Sequence, residues 1–190
     1  MSMVEIGDDD DLPRYEMVQK AVAEIFEVVR NDKVASNSVR MNVVTFGGNV
    51  KSTGFNGIDE VQTPDLSPNG GTPLGSAVDQ ALDETDARLI ELNDEGRPYN
   101  VASIFLFTDG QPTEDEAFVR KVAQRVCSAV QSGNLFFHAF TVCDADKQRL
   151  TQLGFPNVSR MPSSYREFVQ FVSMSIVASS RGQKGESFGA

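Results

Sequence analysis

Residues 69–82 read NGGTPLGSAVDQAL, and residues 101–115 read VASIFLFTDGQPTED. The first stretch opens a helix. Thr72 has N-cap chemistry and Pro73 suits the first helical position. Leu74, Ala77, Val78, Ala81 and Leu82 recur at helical spacing and mark a buried face. Gly70 and Gly71 permit close approach to the helix start or a positive φ. The second stretch begins with a near-continuous apolar run over 101–107, as a parallel strand covered on both faces requires. Asp109 follows just past the carboxyl end of that strand.

The rest of the chain repeats this alternation. Residues 13–30 make an amphipathic helix with Met17, Val18, Ala21, Ile25, Val28 and Val29 on one face. VRMNVVTF at 39–46 is β-branched, bounded by Gly47 and Gly48, and predicts a strand. Residues 49–71 are irregular, with a short ribbon near Val50–Thr53. The helix after Thr72 extends to Leu92, and a further helix covers 114–132, closed by Gly133-Asn134. LFFHAFTV at 135–142 is a second buried strand; NVSRM at 157–161 is a short edge strand. Helices are expected over 145–153 and from Ser163 or Ser164 to Ser179. The expected fold class is α/β: a doubly wound, mostly parallel sheet flanked by helices. One domain covers residues 1–180, followed by a polar tail over 181–190.

Composition narrows the function classes. The chain has 190 residues, 40% of them hydrophobic and 23% charged, as suits one globular domain. A net charge of −10 argues against a broad nucleic-acid surface and favours metal ions or basic protein surfaces as partners. No signal peptide or membrane span is visible. Cys127 and Cys143 lack metal-site spacing and read as thiols of a reducing compartment, the cytoplasm. The only histidine, His138, sits mid-strand and reads as a packing residue. Ser76 lies one turn into a helix, outside any G-x-S-x-G elbow, and no phosphate-binding glycine motif is present.

In an open α/β sheet, ligands lie beyond the carboxyl ends of the strands. Thr72 and Asp109 fall at that end of successive βα units. A hydroxyl and a carboxylate there are hard oxygen ligands, suited to Mg²⁺, Mn²⁺ or Ca²⁺ rather than zinc. The competing reading makes Thr72 a helix cap and Asp109 a turn residue.

Together, NGGTPLGSAVDQAL, FLFTDGQPTED and the preceding MNVVTFGG resemble the von Willebrand factor A family over residues 13–180, and in particular its bacterial intracellular tellurite-resistance and stress-associated group. The resemblance implies a metal-ion-dependent adhesion site in a non-catalytic protein-interaction module. Thr72 and Asp109 then hold a divalent cation, Mg²⁺ first, whose coordination is completed by a carboxylate from a protein partner. The family's first loop, Asp-x-Ser-x-Ser after a central first strand, has no full counterpart here. Ser2-Met3 is its remnant, which makes Ser2 a third ligand, and the resemblance then implies either a start about one strand late or a natural variant lacking that strand. Asp8, Asp9, Asp10 and Asp11 would flank the site as a solvated acidic loop or as substitute carboxylates. A metal-independent scaffold and a Mg-dependent phosphoester enzyme are the alternative functions. A missing central strand leaves 39–46 and 101–107 without a shared neighbour. The two strands then pair directly, MSMVEI at 1–6 substitutes, or another chain supplies a strand, with self-association through the open edge expected.

Overall fold

The computed structural model describes residues 14–66, 70–108, 111–141, 144–162 and 165–182. Helix α1 spans Arg14–Asn31 and a short α2 spans Ala35–Ser38. Four short strands follow: β1 (Arg40–Met41), β2 (Val44–Gly47), β3 (Asn49–Ser52) and β4 (Asn56–Gly57). Then come α3 (Leu74–Asp94), β5 (Ala102–Thr108), α4 (Glu116–Gln131), β6 (Leu135–Thr141), α5 (Asp144–Leu153), β7 (Val158–Arg160) and α6 (Tyr165–Ser180).

Strands β5, β6 and β7 form a parallel sheet in that order, with Ala102 opposite Leu135 and Thr108 opposite Thr141. Their alternation sorts side chains into two layers. Leu106, Phe137 and Ala139 face α3, α4 and α5, where Val78, Leu82, Val119, Val126 and Leu150 close one core. Phe105, Phe107 and Phe140 face α1 and α6, where Ile25, Val29, Phe168 and Val172 close the other. Rings fill this second layer: Phe140 stacks on Phe107 at 5.6 Å between centroids and meets Phe168 edge-on at 5.1 Å. The helix ends follow local chemistry. Asp115 accepts from the Phe118 N–H at 3.1 Å and caps α4. At its other end the Asn134 N–H returns to the Ala129 carbonyl at 3.0 Å.

One expected strand is corrected. Residues 39–46 do not form a single strand of the parallel sheet. They split into β1, antiparallel to β4, and β2, antiparallel to β3. The break falls at Asn42 and Val43, whose polar groups take partners from the ribbon and from α3. The Ser52 hydroxyl donates to Asn42 Oδ1 at 2.9 Å, and the Asn42 amide donates to Glu84 of α3. The Val43 N–H donates to Thr53 Oγ1 at 3.0 Å. Glu84 anchors this junction, accepting also from Gln80 at 2.8 Å and Ser52 at 2.6 Å. Burial works to raise its pKa, but these donors outweigh burial and hold it below the usual glutamate range.

His138 is buried within the aromatic layer. Its ring stacks on Phe140 at 4.4 Å and meets Phe171 at 5.4 Å, with Nε2 3.1 Å from Ser159 Oγ. Burial lowers its pKa from 6.5 to about 4. The folded chain therefore keeps it neutral while the unfolded chain protonates it. Above pH 6.5 the group adds no pH dependence; as pH falls from 6.5 towards 4, the unfolded state takes up the extra proton and stability drops. Urea titrations at a series of pH values should show this loss in the natural chain, and His138→Phe should lack its share of it.

Candidate functional site

Three loops meet beyond the carboxyl end of β5. They are the β2–β3 turn at Gly47-Gly48, the segment from Gly70 to Pro73 that enters α3, and residues 111–115 ahead of α4. Their backbones lock together at hydrogen-bond range. The Gly48 N–H donates to the Gly71 carbonyl at 2.8 Å. The Thr72 N–H donates to Thr113 Oγ1 at 3.0 Å, and the Thr113 N–H returns to the Thr72 carbonyl at 3.1 Å. The paired glycines are there for this contact. Gly70 sits at φ +75, and a Cβ on it would lie 2.8 Å from Gly48 Cα. A Cβ on Gly71 would lie 2.8 Å from Thr113 Oγ1.

The start of α3 is capped from another loop. Glu114 places its carboxylate over the first turn: the Gly75 N–H donates to Oε2 at 2.5 Å and the Ser76 N–H to Oε1 at 3.0 Å. The Ser76 hydroxyl donates to the same carboxylate. A charge at this position meets the unpaired N–H groups and the positive end of the helix dipole together. This corrects the expected N-cap role of Thr72. Helix α3 begins at Leu74 with no side-chain cap from its own flank, because the full negative charge of Glu114 outcompetes a neutral hydroxyl. The Thr72 hydroxyl makes no hydrogen bond among the described residues, while its backbone is fully engaged. Thr72 is half-buried.

Of the residues singled out from sequence, Thr72 is placed at this junction. Asp109, Ser2 and Asp8 to Asp11 lie outside the described residues, as does Cys143. Cys127 is a free thiol whose Sγ is 3.1 Å from the Gly154 carbonyl oxygen. No group of three or more His, Cys, Asp or Glu side chains suited to a metal ion occurs among the described residues. What the described residues offer a hard cation is the uncommitted Thr72 hydroxyl, a neutral oxygen donor; Glu114 is committed to the helix. Thr113 and Glu114 were not identified from sequence. Thr-Glu-Asp-Glu at 113–116 reads as capping chemistry for its own helix, and Asp115 does serve that helix, but Glu114 crosses to α3.

Flanking the junction, Arg125 of α4 reaches across to α3 and pairs with Asp79 at 2.9 Å, Asp83 at 2.6 Å and Asp86 at 2.9 Å. Partial burial works against its charge, yet the three carboxylates prevail and raise its pKa. The α3–α4 pair is thus held by Glu114 at one end and Arg125 along its side. No helix among the described residues is long and apolar enough to cross a membrane.

A family profile described as the von Willebrand factor type A domain matches residues 12–174. A search of curated proteins found no match. Among solved structures, the crystal structure of the SpRpn10 VWA domain is similar, with a TM-score of 0.51 and 15% sequence identity, covering 91% of this chain and 87% of that chain. At that identity the likeness concerns the fold.

The loop junction makes a coupled prediction. Gly71→Ala pushes Thr113 Oγ1 away from the Thr72 N–H and should cost about 1 kcal/mol or more in urea unfolding. In a Thr113→Ala background the same change should cost less, a coupling of about 0.5–3 kcal/mol. Equal costs in both backgrounds would separate the two loops energetically. Glu114→Ala should lower stability by about 0.5–2 kcal/mol through the lost helix cap.

Proposed function

This chain belongs to the von Willebrand factor type A family, and from that premise we propose that it is a non-catalytic protein-interaction module working through a divalent cation at the loop junction. The observation that carries the reading is the state of Thr72. Its backbone is tied on both sides to the loop that follows β5, while among the described residues its hydroxyl is left uncommitted at the sheet's carboxyl edge. That edge is where open α/β sheets bind ligands.

In this proposal Thr72 and Asp109 hold the ion, and Ser2 is a third oxygen donor. Mg²⁺ suits the set best, since hydroxyl and carboxylate oxygens with water are its usual shell; Mn²⁺ and Ca²⁺ are the alternatives. The ion would supply a positive charge that a carboxylate on a protein partner can complete. With few charged ligands, binding is weak until the partner adds its own carboxylate, so metal and partner bind cooperatively. The acidic run Asp8–Asp11 adds a negative field that concentrates cations near the chain. A cytoplasmic setting fits the thiol usage, and a role in bacterial tellurite or chemical stress is the proposed context. Two candidates for an enzyme reading are otherwise engaged: the Ser76 hydroxyl donates to Glu114, and His138 is buried in the aromatic layer.

Calorimetric titration of the intact chain with MgCl₂ or MnCl₂ checks this. Weak, saturable heat should appear, vanish in Thr72→Ala and Asp109→Ala, and shrink in Ser2→Ala. Glutamate-rich peptide added with the metal should tighten binding. Heat that survives both Thr72→Ala and Asp109→Ala, or none in the natural chain, would leave a metal-independent scaffold in its place.

A further inference from the structure

Thr72 is clamped through both of its peptide units. The unit that precedes it is held at both ends: the Gly71 carbonyl accepts from the Gly48 N–H at 2.8 Å, and the Thr72 N–H donates to Thr113 Oγ1 at 3.0 Å. The unit that follows is held at its carbonyl, which accepts from the Thr113 N–H at 3.1 Å and from the Leu74 N–H at 2.8 Å. A peptide unit is planar, so two units in fixed positions set φ and ψ of the residue between them. They thereby set the direction of the Thr72 Cα–Cβ bond. The hydroxyl keeps only the choice among staggered χ1 positions.

Three of these four contacts run from backbone to backbone, and Thr113 Oγ1 is the one side-chain atom among them. Gly71 keeps room for it, since a Cβ there would lie 2.8 Å from that oxygen. Helix capping does not account for Thr113. Helix α4 is capped by Asp115 and α3 by Glu114. Nor does burial, because Thr113 is exposed. In such a place water competes for the Thr72 N–H, and the bond adds little to stability. What water cannot supply is a fixed direction. The Thr113 hydroxyl is thus spent on the backbone of a residue whose own hydroxyl is uncommitted among the described residues.

We propose that Thr113 is a positioning residue of the cation site, and that its hydroxyl oxygen fixes the backbone from which the Thr72 hydroxyl is presented. Thr113 itself donates nothing to the ion. The inference rests on the reading of Thr72 as a ligand and names the residue that aims it. A site with few charged ligands depends heavily on the placement of each oxygen. That dependence differs between ions. Mg²⁺ demands near-ideal octahedral geometry, whereas Ca²⁺ accepts irregular shells. Loosening Thr72 therefore weakens Mg²⁺ more than Ca²⁺, a shift in selectivity that a purely structural role of Thr113 would not produce.

Calorimetric titration of the intact chain with MgCl₂ and with CaCl₂ tests this in two variants. Thr113→Val keeps size and branching but removes the acceptor, and Thr113→Ser keeps the acceptor. Thr113→Val should weaken Mg²⁺ binding about tenfold, the usual effect of losing a group that orients a metal ligand, and Ca²⁺ binding by less. Thr113→Ser should hold both affinities near those of the natural chain. Gly133→Ala is the stability control: Gly133 sits at φ +73 beyond the far end of α4, so the change strains the backbone without altering charge and should leave both affinities alone. Should Thr113→Val fail to fold, Thr113→Cys, a weaker acceptor in the same place, is read in its stead. Unchanged Mg²⁺ binding in the folded Thr113→Val chain, a loss of the same size for both ions, an equal loss in Gly133→Ala, or a loss that Thr113→Ser shares would overturn the positioning role alone. Absence of heat in the natural chain would overturn the cation reading together with it.

Discussion

The Glu114 carboxylate over the first turn of α3 is the contact on which the rest of the site depends. A helix start exposes four N–H groups that need acceptors. Two of them, on Gly75 and Ser76, are met from a loop nearly forty residues away in sequence. Because the cap comes from the loop after β5, the start of α3 is tied to that loop. Thr72 and Thr113 add two backbone bonds to the same junction. The glycines then make sense as a set. A Cβ at Gly70 would meet the backbone of Gly48, and one at Gly71 the side chain of Thr113. Freed from capping, the Thr72 hydroxyl is positioned by its own backbone and makes no hydrogen bond among the described residues.

Most of the architecture was legible because it rests on periodicity. The apolar runs at 101–107 and 135–142 became β5 and β6 within a residue at each end, and the helical spacings became α1, α3, α4, α5 and α6. Period alone decided these, since each element buries a continuous face. The region 39–46 was misread for the opposite reason, while the ribbon expected near Val50–Thr53 is β3. Its β-branched residues are right for a strand, but Asn42 carries an amide that finds Ser52 and Glu84 before it finds a ladder partner. Local polar chemistry broke a strand that pattern reading joined. The site was legible in its location and illegible in its wiring. Which acidic residue of Thr-Glu-Asp-Glu caps which helix depends on three-dimensional distance, and one-dimensional spacing assigns all of them to the nearer helix.

Two charged groups tie α3 to its neighbours. Arg125 collects three aspartates from α3, and Glu84 collects Asn42, Gln80 and Ser52. Exposed pairs of this kind contribute little one at a time. Their value lies in direction: Arg125 fixes α3 on α4, and Glu84 fixes α3 on the β1–β3 ribbon. Helix α3 is therefore fastened on three sides, at its start by Glu114, along one flank by Arg125 and along the other by Glu84. It also lines one side of a cleft between β5 and the β1–β2 segment.

That rigidity explains how β2 and β5 can stand apart. Among the described residues, β5 pairs with β6 and β2 with β3, with no ladder between the two pairs. Here the ribbon bearing β2 is bound to α3 through Glu84, and the end of β5 is bound to α3 through Glu114 and Thr113. Closing the gap would break one set of bonds or the other, and each set includes a charge-assisted hydrogen bond of the stronger kind. The spacing of the cleft is thus set by side chains on its rim. Gly70, Gly71 and Thr72 belong both to the loop junction and to the lining of the cleft.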